Sequence, residues 1–124
     1  MKPVVLLVED NEMNSRLVEY VLERDGFEVR VMDSAEEAVN AAIADPPDVI
    51  LMDIQLPGMD GLEATRRLKD NAGTAQIPIL AITAHAMRGD EERILSAGCQ
   101  GYISKPINTR ELAGTIRDHL PNAG

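Results

Sequence analysis

The chain has 124 residues, 44% of them apolar and 27% charged, which suits one soluble domain whose core buries roughly two-thirds of the unfolded surface without a structural metal or disulfide. A formal net charge of −9 repels nucleic-acid phosphates, and no basic stripe offsets it, so direct nucleic-acid binding is not expected. No apolar stretch approaches the roughly 20 residues of a membrane span, no signal peptide precedes the first strand-like run, and the lone Cys99 permits no internal disulfide, which fits a reducing cytoplasm.

The aromatic residues are Tyr20, Phe27 and Tyr102 alone, so the core must be aliphatic. Val4–Val8 opens the chain as a Val- and Leu-rich run of the kind found in buried parallel strands. Leu17, Val18, Val21 and Leu22 then mark one apolar helix face after an Asn11 cap, and Gly26 ends that helix. Phe27–Val31 alternates apolar and polar residues, the pattern of a half-exposed edge strand. Ser34 and Glu37 have capping-box spacing ahead of Ala38, Ala41 and Ala42. Val49–Met52 is a second continuous apolar run, and Asp60 with Glu63 caps the helix that follows. Ile77–Ile82 is a third run, with Pro78 near its start where a missing N–H is tolerated. A helix is expected from Gly89 to Ala97, stopped by Gly98, then a short strand at Gly101–Ser104, then a helix capped by Asn108 with Glu111 at the third position beyond. Cys99 reads as a small apolar residue packed after the fourth helix, and His119 as a cation suited to the last helix's C-terminus.

Five β–α units in succession imply a doubly wound parallel α/β sheet with helices on both faces. With the first and third strands central, the order is 2-1-3-4-5, and ligands are expected in the crevice beyond the carboxyl ends of strands 1 and 3. Strand 1 ends in Val8-Glu9-Asp10 and strand 3 in Met52-Asp53. A single acid at a strand end is often no more than a solvated loop residue. Three aimed at one crevice repel one another unless a cation or proton neutralises them. An all-oxygen cluster without His or Cys suits Mg²⁺, which also binds together with phosphate. Strand 4 ends in Thr83 and strand 5 in Ser104-Lys105-Pro106, so a hydroxyl and an ammonium face the same crevice and could hold an anion seated on Asp53.

In this order and spacing, Glu9-Asp10, Asp53, Thr83 and Lys105-Pro106 resemble the receiver domains of two-component response regulators. The stretches Leu7-Val8-Glu9-Asp10-Asn11, Leu51 to Gly61 and Tyr102-Ile103-Ser104-Lys105-Pro106 carry the likeness in register. The resemblance extends from Val4 to Leu120 and implies a flavodoxin-like (βα)5 fold. It implies that Asp53 accepts a phosphoryl group from a phosphohistidine of a histidine kinase or phosphotransfer protein. Asp10 would be a direct Mg²⁺ ligand, Glu9 a ligand through water, and the main-chain carbonyl of Gln55 the remaining protein ligand. Thr83 and Lys105 would contact the phosphoryl oxygens, Thr83 and Tyr102 would form the switch, and the bond before Pro106 would be cis. On this view the chain is a phosphoacceptor with self-catalysed transfer and autodephosphorylation only, and signals to a downstream output protein.

The run Gly89-Asp90-Glu91-Glu92-Arg93-Ile94 with Gly98-Cys99 resembles the DivK-type regulators of bacterial cell-cycle control. Met1 directly before strand 1, and only Pro121 to Gly124 after the last helix, favour a free-standing receiver domain over residues 1–124 with no output domain; a receiver of a hybrid histidine kinase, acting as relay or phosphate sink, is the alternative. A phosphohydrolase with an aspartyl-phosphate nucleophile would need a second Asp where Gln55 stands. A flavodoxin-like cofactor binder would need a phosphate loop where the acidic Glu9-Asp10-Asn11-Glu12 stands. Met13 lies beside the site on helix 1, where a partner helix could dock. Tyr102 could otherwise simply cap the core edge, His85 reads as a surface-loop histidine near the crevice mouth, and Met87 as loop packing.

Overall fold

Three of the five strands consist almost wholly of aliphatic residues, and the fold covers both of their faces. A computed structural model describes residues 2–56, 58–84 and 89–120; His85 and Met87 lie outside the described residues. The elements are β1 (Val4–Val8), α1 (Glu12–Arg24), β2 (Glu28–Met32), α2 (Ala35–Ala44), β3 (Val49–Asp53), α3 (Gly61–Lys69), β4 (Ile79–Thr83), α4 (Glu91–Ala97), β5 (Gly101–Ser104) and α5 (Leu112–His119). The strands are parallel in the order β2-β1-β3-β4-β5, the doubly wound flavodoxin-like arrangement expected.

Alternation along each strand divides the core in two. Leu6, Val8, Ile50, Met52, Ile79 and Ala81 face α2, α3 and α4, meeting Ala38, Leu62, Leu68 and Ile94. Val5, Leu7, Val49, Leu51, Leu80 and Ile82 face the other way, against Val18, Leu22, Phe27, Leu112 and Ile116. β3 and β4 are buried along their whole length, while β2 and β5 are edges with partly exposed residues.

Local bonds explain where the boundaries differ from the sequence pattern. Phe27 N donates to Leu22 O at 2.9 Å and so closes α1 rather than starting β2. Ile77 N donates to Thr74 O at 3.1 Å, and Pro78 has no N–H, so β4 begins at Ile79. Asn11, Ser34 and Asp60 each accept a bond from the backbone N–H three residues on, at 3.0, 3.2 and 2.8 Å, a type of cap worth about 1 kcal/mol. Asn108 is a correction. Its side chain accepts from Arg110 N at 3.0 Å inside a turn, and α5 starts at Leu112 with Glu111 as a cap residue that makes no side-chain cap bond. The fourth helix is α-helical from Glu91, with Gly89 and Asp90 in a π-helical turn ahead of it, and ends as expected on Gly98 with φ +113°.

Gly61 opens α3 hard against the strand end that carries Asp53. A Cβ there would lie 2.5 Å from Asp53 O and 2.7 Å from Ile54 Cα, both backbone atoms. Overpacking of this kind costs about 1–3 kcal/mol. Gly61→Ala should therefore lower the urea midpoint of unfolding by an amount in that range, and an unchanged midpoint would mean that the contact relaxes freely.

Candidate functional site at the carboxyl edge of the sheet

Parallel pairing in register brings the strand ends together. Val8 pairs with Met52 and Asp53 with Ile82. Thr83 pairs with Ser104. Glu9, Asp53, Thr83 and Lys105 therefore leave four adjacent strands at one level, with Asp10 next along the chain. Glu9 and Asp53 are 3% and 1% exposed, whereas Asp10 is exposed. One carboxylate oxygen from each of the three lies within 4.8 Å of the others. At an effective dielectric of about 20, two unit charges at that distance repel by about 3 kcal/mol, so the cluster needs compensating charge.

Lys105 supplies part of it. Its Nζ donates to Asp53 Oδ2 at 2.9 Å and stands 4.0 Å from Glu9 Oε1. Burial works against the ammonium, but the bond to Asp53 and the charges of Asp53, Glu9 and Asp10 prevail and hold its pKa above the ordinary value. The peptide bond between Lys105 and Pro106 is cis, as the resemblance implied. Asp53 Oδ1 accepts from the Gln55 amide at 2.8 Å. Gln55 thus meets the site through its N–H, a contact not anticipated when its carbonyl was the expected ligand.

Glu9 is the strained member. Its Oε2 accepts from Asn11 N at 3.2 Å, but the buried Oε1 accepts no hydrogen bond. Burial, then the neighbouring Asp53 carboxylate, push its pKa to about 7. A buried acceptor without a donor, amid three convergent carboxylates with no nitrogen or sulfur donor, fits a hard divalent cation and no softer metal.

Thr83 is fully buried at the end of β4, and its hydroxyl donates to Asp90 Oδ2 at 3.3 Å. Asp90 has no site role in the sequence pattern, which places it inside the fourth helix, in the run from Gly89 to Ile94. Tyr102 is half-buried on β5 and packs against the cluster under α4, as either of its two readings requires. Cys99 is buried and its Sγ lies 3.8 Å from Thr65 Oγ1, the packing role expected; burial raises its pKa. His119 Nδ1 lies 2.9 Å from Thr115 O near the end of α5. Met13 is 82% exposed on the first turn of α1.

The proton on Glu9 has a measurable sign. Its folded pKa of about 7 stands above the ordinary 4.5, so between those values the folded chain binds more protons than the unfolded one. Stability must then fall as pH rises through that window. In EDTA, wild type should lose melting temperature between pH 5 and pH 8 relative to Glu9→Gln, and parallel pH profiles for the two would show that Glu9 ionises normally.

The response regulator receiver domain model matches residues 5–117. The chain is 47% identical to the polar-differentiation response regulator DivK of Brucella ovis over 99% of this chain and all of that one. It is 46% identical to the DivK of Brucella anthropi over the same shares. Among solved structures, it superposes on the receiver domain of a Pseudomonas aeruginosa sensor histidine kinase, determined with magnesium coordinated in the active-site cleft. There the TM-score is 0.91 with 35% identity, covering 98% of this chain and all of that one. A chemotaxis response regulator of Vibrio cholerae matches with a TM-score of 0.91 at 27% identity, over 97% of this chain and all of that one. The fold, the convergent acids and these likenesses agree: the chain belongs to the response regulator receiver domain family of two-component signalling.

Proposed function

We propose that this receiver domain takes a phosphoryl group from a phosphohistidine onto Asp53 and thereby switches a surface read by an output protein. The observation that carries the reading is Asp53 itself, a buried carboxylate at the end of a central strand, held between the Gln55 amide and the Lys105 ammonium. Both contacts fix the orientation of the nucleophile before the donor arrives, which is where positioning lowers a phosphoryl-transfer barrier.

In the transfer an Asp53 oxygen forms a bond to phosphorus as the phosphorus–nitrogen bond to the donor imidazole breaks. The imidazole keeps the electron pair. Lys105 stands where its ammonium can pass from the carboxylate to a phosphoryl oxygen and neutralise charge there. Asp10, Glu9, Asp53 and the Gln55 carbonyl would hold Mg²⁺, which spreads the charge of the transferring group when bound. The product is an acyl phosphate, and attack of water at phosphorus returns the carboxylate, so the signal is self-limiting. Ala84 after Thr83 leaves that path open to water.

The donor has a surface to meet. Asn14, Leu17, Val18, Lys105, Pro106 and Ile107 line a groove of about 410 Å³ between α1 and the loop after β5. Met13 and Leu17, 82% and 48% exposed, lie on the same helix. An apolar helix face presenting a phosphohistidine would cover these side chains and reach Asp53 past Lys105. The output half of the switch runs through Thr83 and Tyr102. A phosphoryl group adds acceptor oxygens that draw the Thr83 hydroxyl inward, and Tyr102, on the neighbouring strand, is the half-buried side chain placed to follow. The likeness to DivK regulators favours a free-standing signalling role, and the likeness to a sensor-kinase receiver keeps a relay role as the second reading.

Asp53→Asn should lose labelling by acetyl phosphate or a phosphorylated kinase in Mg²⁺, while Thr83→Ala should still be labelled. With beryllofluoride, NMR shifts should reach Tyr102 and α4 in wild type but stay around Glu9 and Asp53 in Thr83→Ala. Full labelling of Asp53→Asn would refute the assignment.

A further inference from the structure

We propose that Asp90 is the positioning residue of the resting switch: its carboxylate holds the Thr83 hydroxyl away from Asp53 and reports the release of that hydroxyl to α4. The proposal rests on the phosphoacceptor reading above and adds a residue to it. Thr83 Oγ1 donates to Asp90 Oδ2 at 3.3 Å. The other oxygen of Asp90 is tied to Arg93 at 2.8 Å, and the Asp90 side chain is only 14% exposed. The acid is therefore anchored rather than waving in solvent, and what it holds is a group that the chemistry needs elsewhere.

The trade is forced by donor count. A threonine hydroxyl carries one hydrogen. To donate it to a phosphoryl oxygen on Asp53, Thr83 must withdraw it from Asp90. Oδ2 of the mostly buried Asp90 then loses its donor while Arg93 still holds Oδ1, and it must find another, because a buried acceptor left unsatisfied is costly.

A replacement stands next to it. Asp90 is the N-cap residue of α4, yet it has helical backbone angles of φ −64° and ψ −28° and makes no side-chain cap bond. The N-caps of α1, α2 and α3 are all extended and all bond an N–H in the first turn. Gly89 and Asp90 lie in a π-helical turn that runs into α4, and the Asp90 carboxylate is spent on Thr83 and Arg93 rather than on a cap. Once freed, it can turn to the N–H groups at the start of α4, which changes the backbone where that helix begins. The latch thus converts a hydroxyl movement at the phosphorylation site into a movement of α4, beside the Tyr102 face.

The test is beryllofluoride binding to the intact chain in Mg²⁺, measured by calorimetry, with urea melts to confirm folding. Holding Thr83 back taxes the active state, so Asp90→Ala should bind beryllofluoride roughly three- to tenfold more tightly than wild type, the factor that one hydrogen bond is worth. Asp90→Asn keeps an acceptor for the hydroxyl and should stay nearer to wild type. In a Thr83→Ala background, Asp90→Ala should change nothing, a result that a merely structural role would not give. Should Asp90→Ala not fold, Arg93→Ala, at an exposed guanidinium, unanchors the same carboxylate and should tighten binding in the same direction. Unchanged or weaker binding in the folded Asp90 variant, or equal tightening without Thr83, would overturn the latch alone. Failure of wild type to bind would overturn the phosphoacceptor reading and the latch with it.

Discussion

The ion pair between Lys105 and Asp53 is the contact on which the rest of the site depends. It places a positive charge 2.9 Å from a buried carboxylate that has two other acids for neighbours. Without it, burial of Asp53 at 1% exposure would set desolvation and like-charge repulsion against the fold together. With it, one of three negative charges is matched, and Glu9 carries the remaining imbalance as an Oε1 that accepts no hydrogen bond and a raised pKa. The fold tolerates this imbalance rather than removing it. An apolar residue in place of Glu9 would relieve it, as would a hard divalent cation held by the three carboxylates.

The sheet makes that concentration of charge possible. Parallel strands end at one edge, so four successive strand ends deliver four side chains to one level without any loop having to reach across. The two aliphatic layers supply the rigidity, and the charge is confined to the edge where it meets solvent on one side. Gly61 belongs to the same construction. By admitting no side chain it lets α3 abut the backbone of Asp53. Asp90 works at the opposite wall, where Thr83 meets α4. On the proposed function the two sides are complementary: close packing behind β3 would hold Asp53 in place, and the bond between Thr83 and Asp90 on the β4 side would let the response move.

The sheet order and every strand were legible in the sequence: three strands are continuous aliphatic runs, which have few other uses in a chain this short, β2 showed as alternation and β5 as a short segment between the last two helical patterns. Asn11, Ser34 and Asp60 were legible as caps because a side-chain oxygen three residues before an N–H has one dominant partner. The same rule failed at Asn108, whose side chain bonds the N–H two residues on while its backbone carbonyl takes the N–H of Glu111 in a turn before α5. Strand limits at Phe27 and Ile77 failed for a related reason: both residues are apolar, but their N–H groups are spent on turns, and hydropathy does not record hydrogen bonding. In the site, Glu9, Asp10 and Asp53 stood out because charge at the end of an apolar run is conspicuous, and Thr83 and Lys105 because neighbouring strand ends bring a hydroxyl and an ammonium to the same edge. The partnership of Thr83 with Asp90 did not, since a contact between a strand end and a helix start seven residues later depends on the intervening backbone.

The central claim is that phosphoryl chemistry occurs on Asp53 and on no other side chain. An acyl phosphate is reduced by borohydride whereas an ordinary carboxylate is not, so treatment after incubation with a phosphoryl donor leaves homoserine at the phosphorylated aspartate. Mapping by tandem mass spectrometry should find that conversion at position 53 only, dependent on both donor and Mg²⁺. Conversion at Asp10 or another acid, or none under conditions in which the donor is consumed by the chain, would contradict the account.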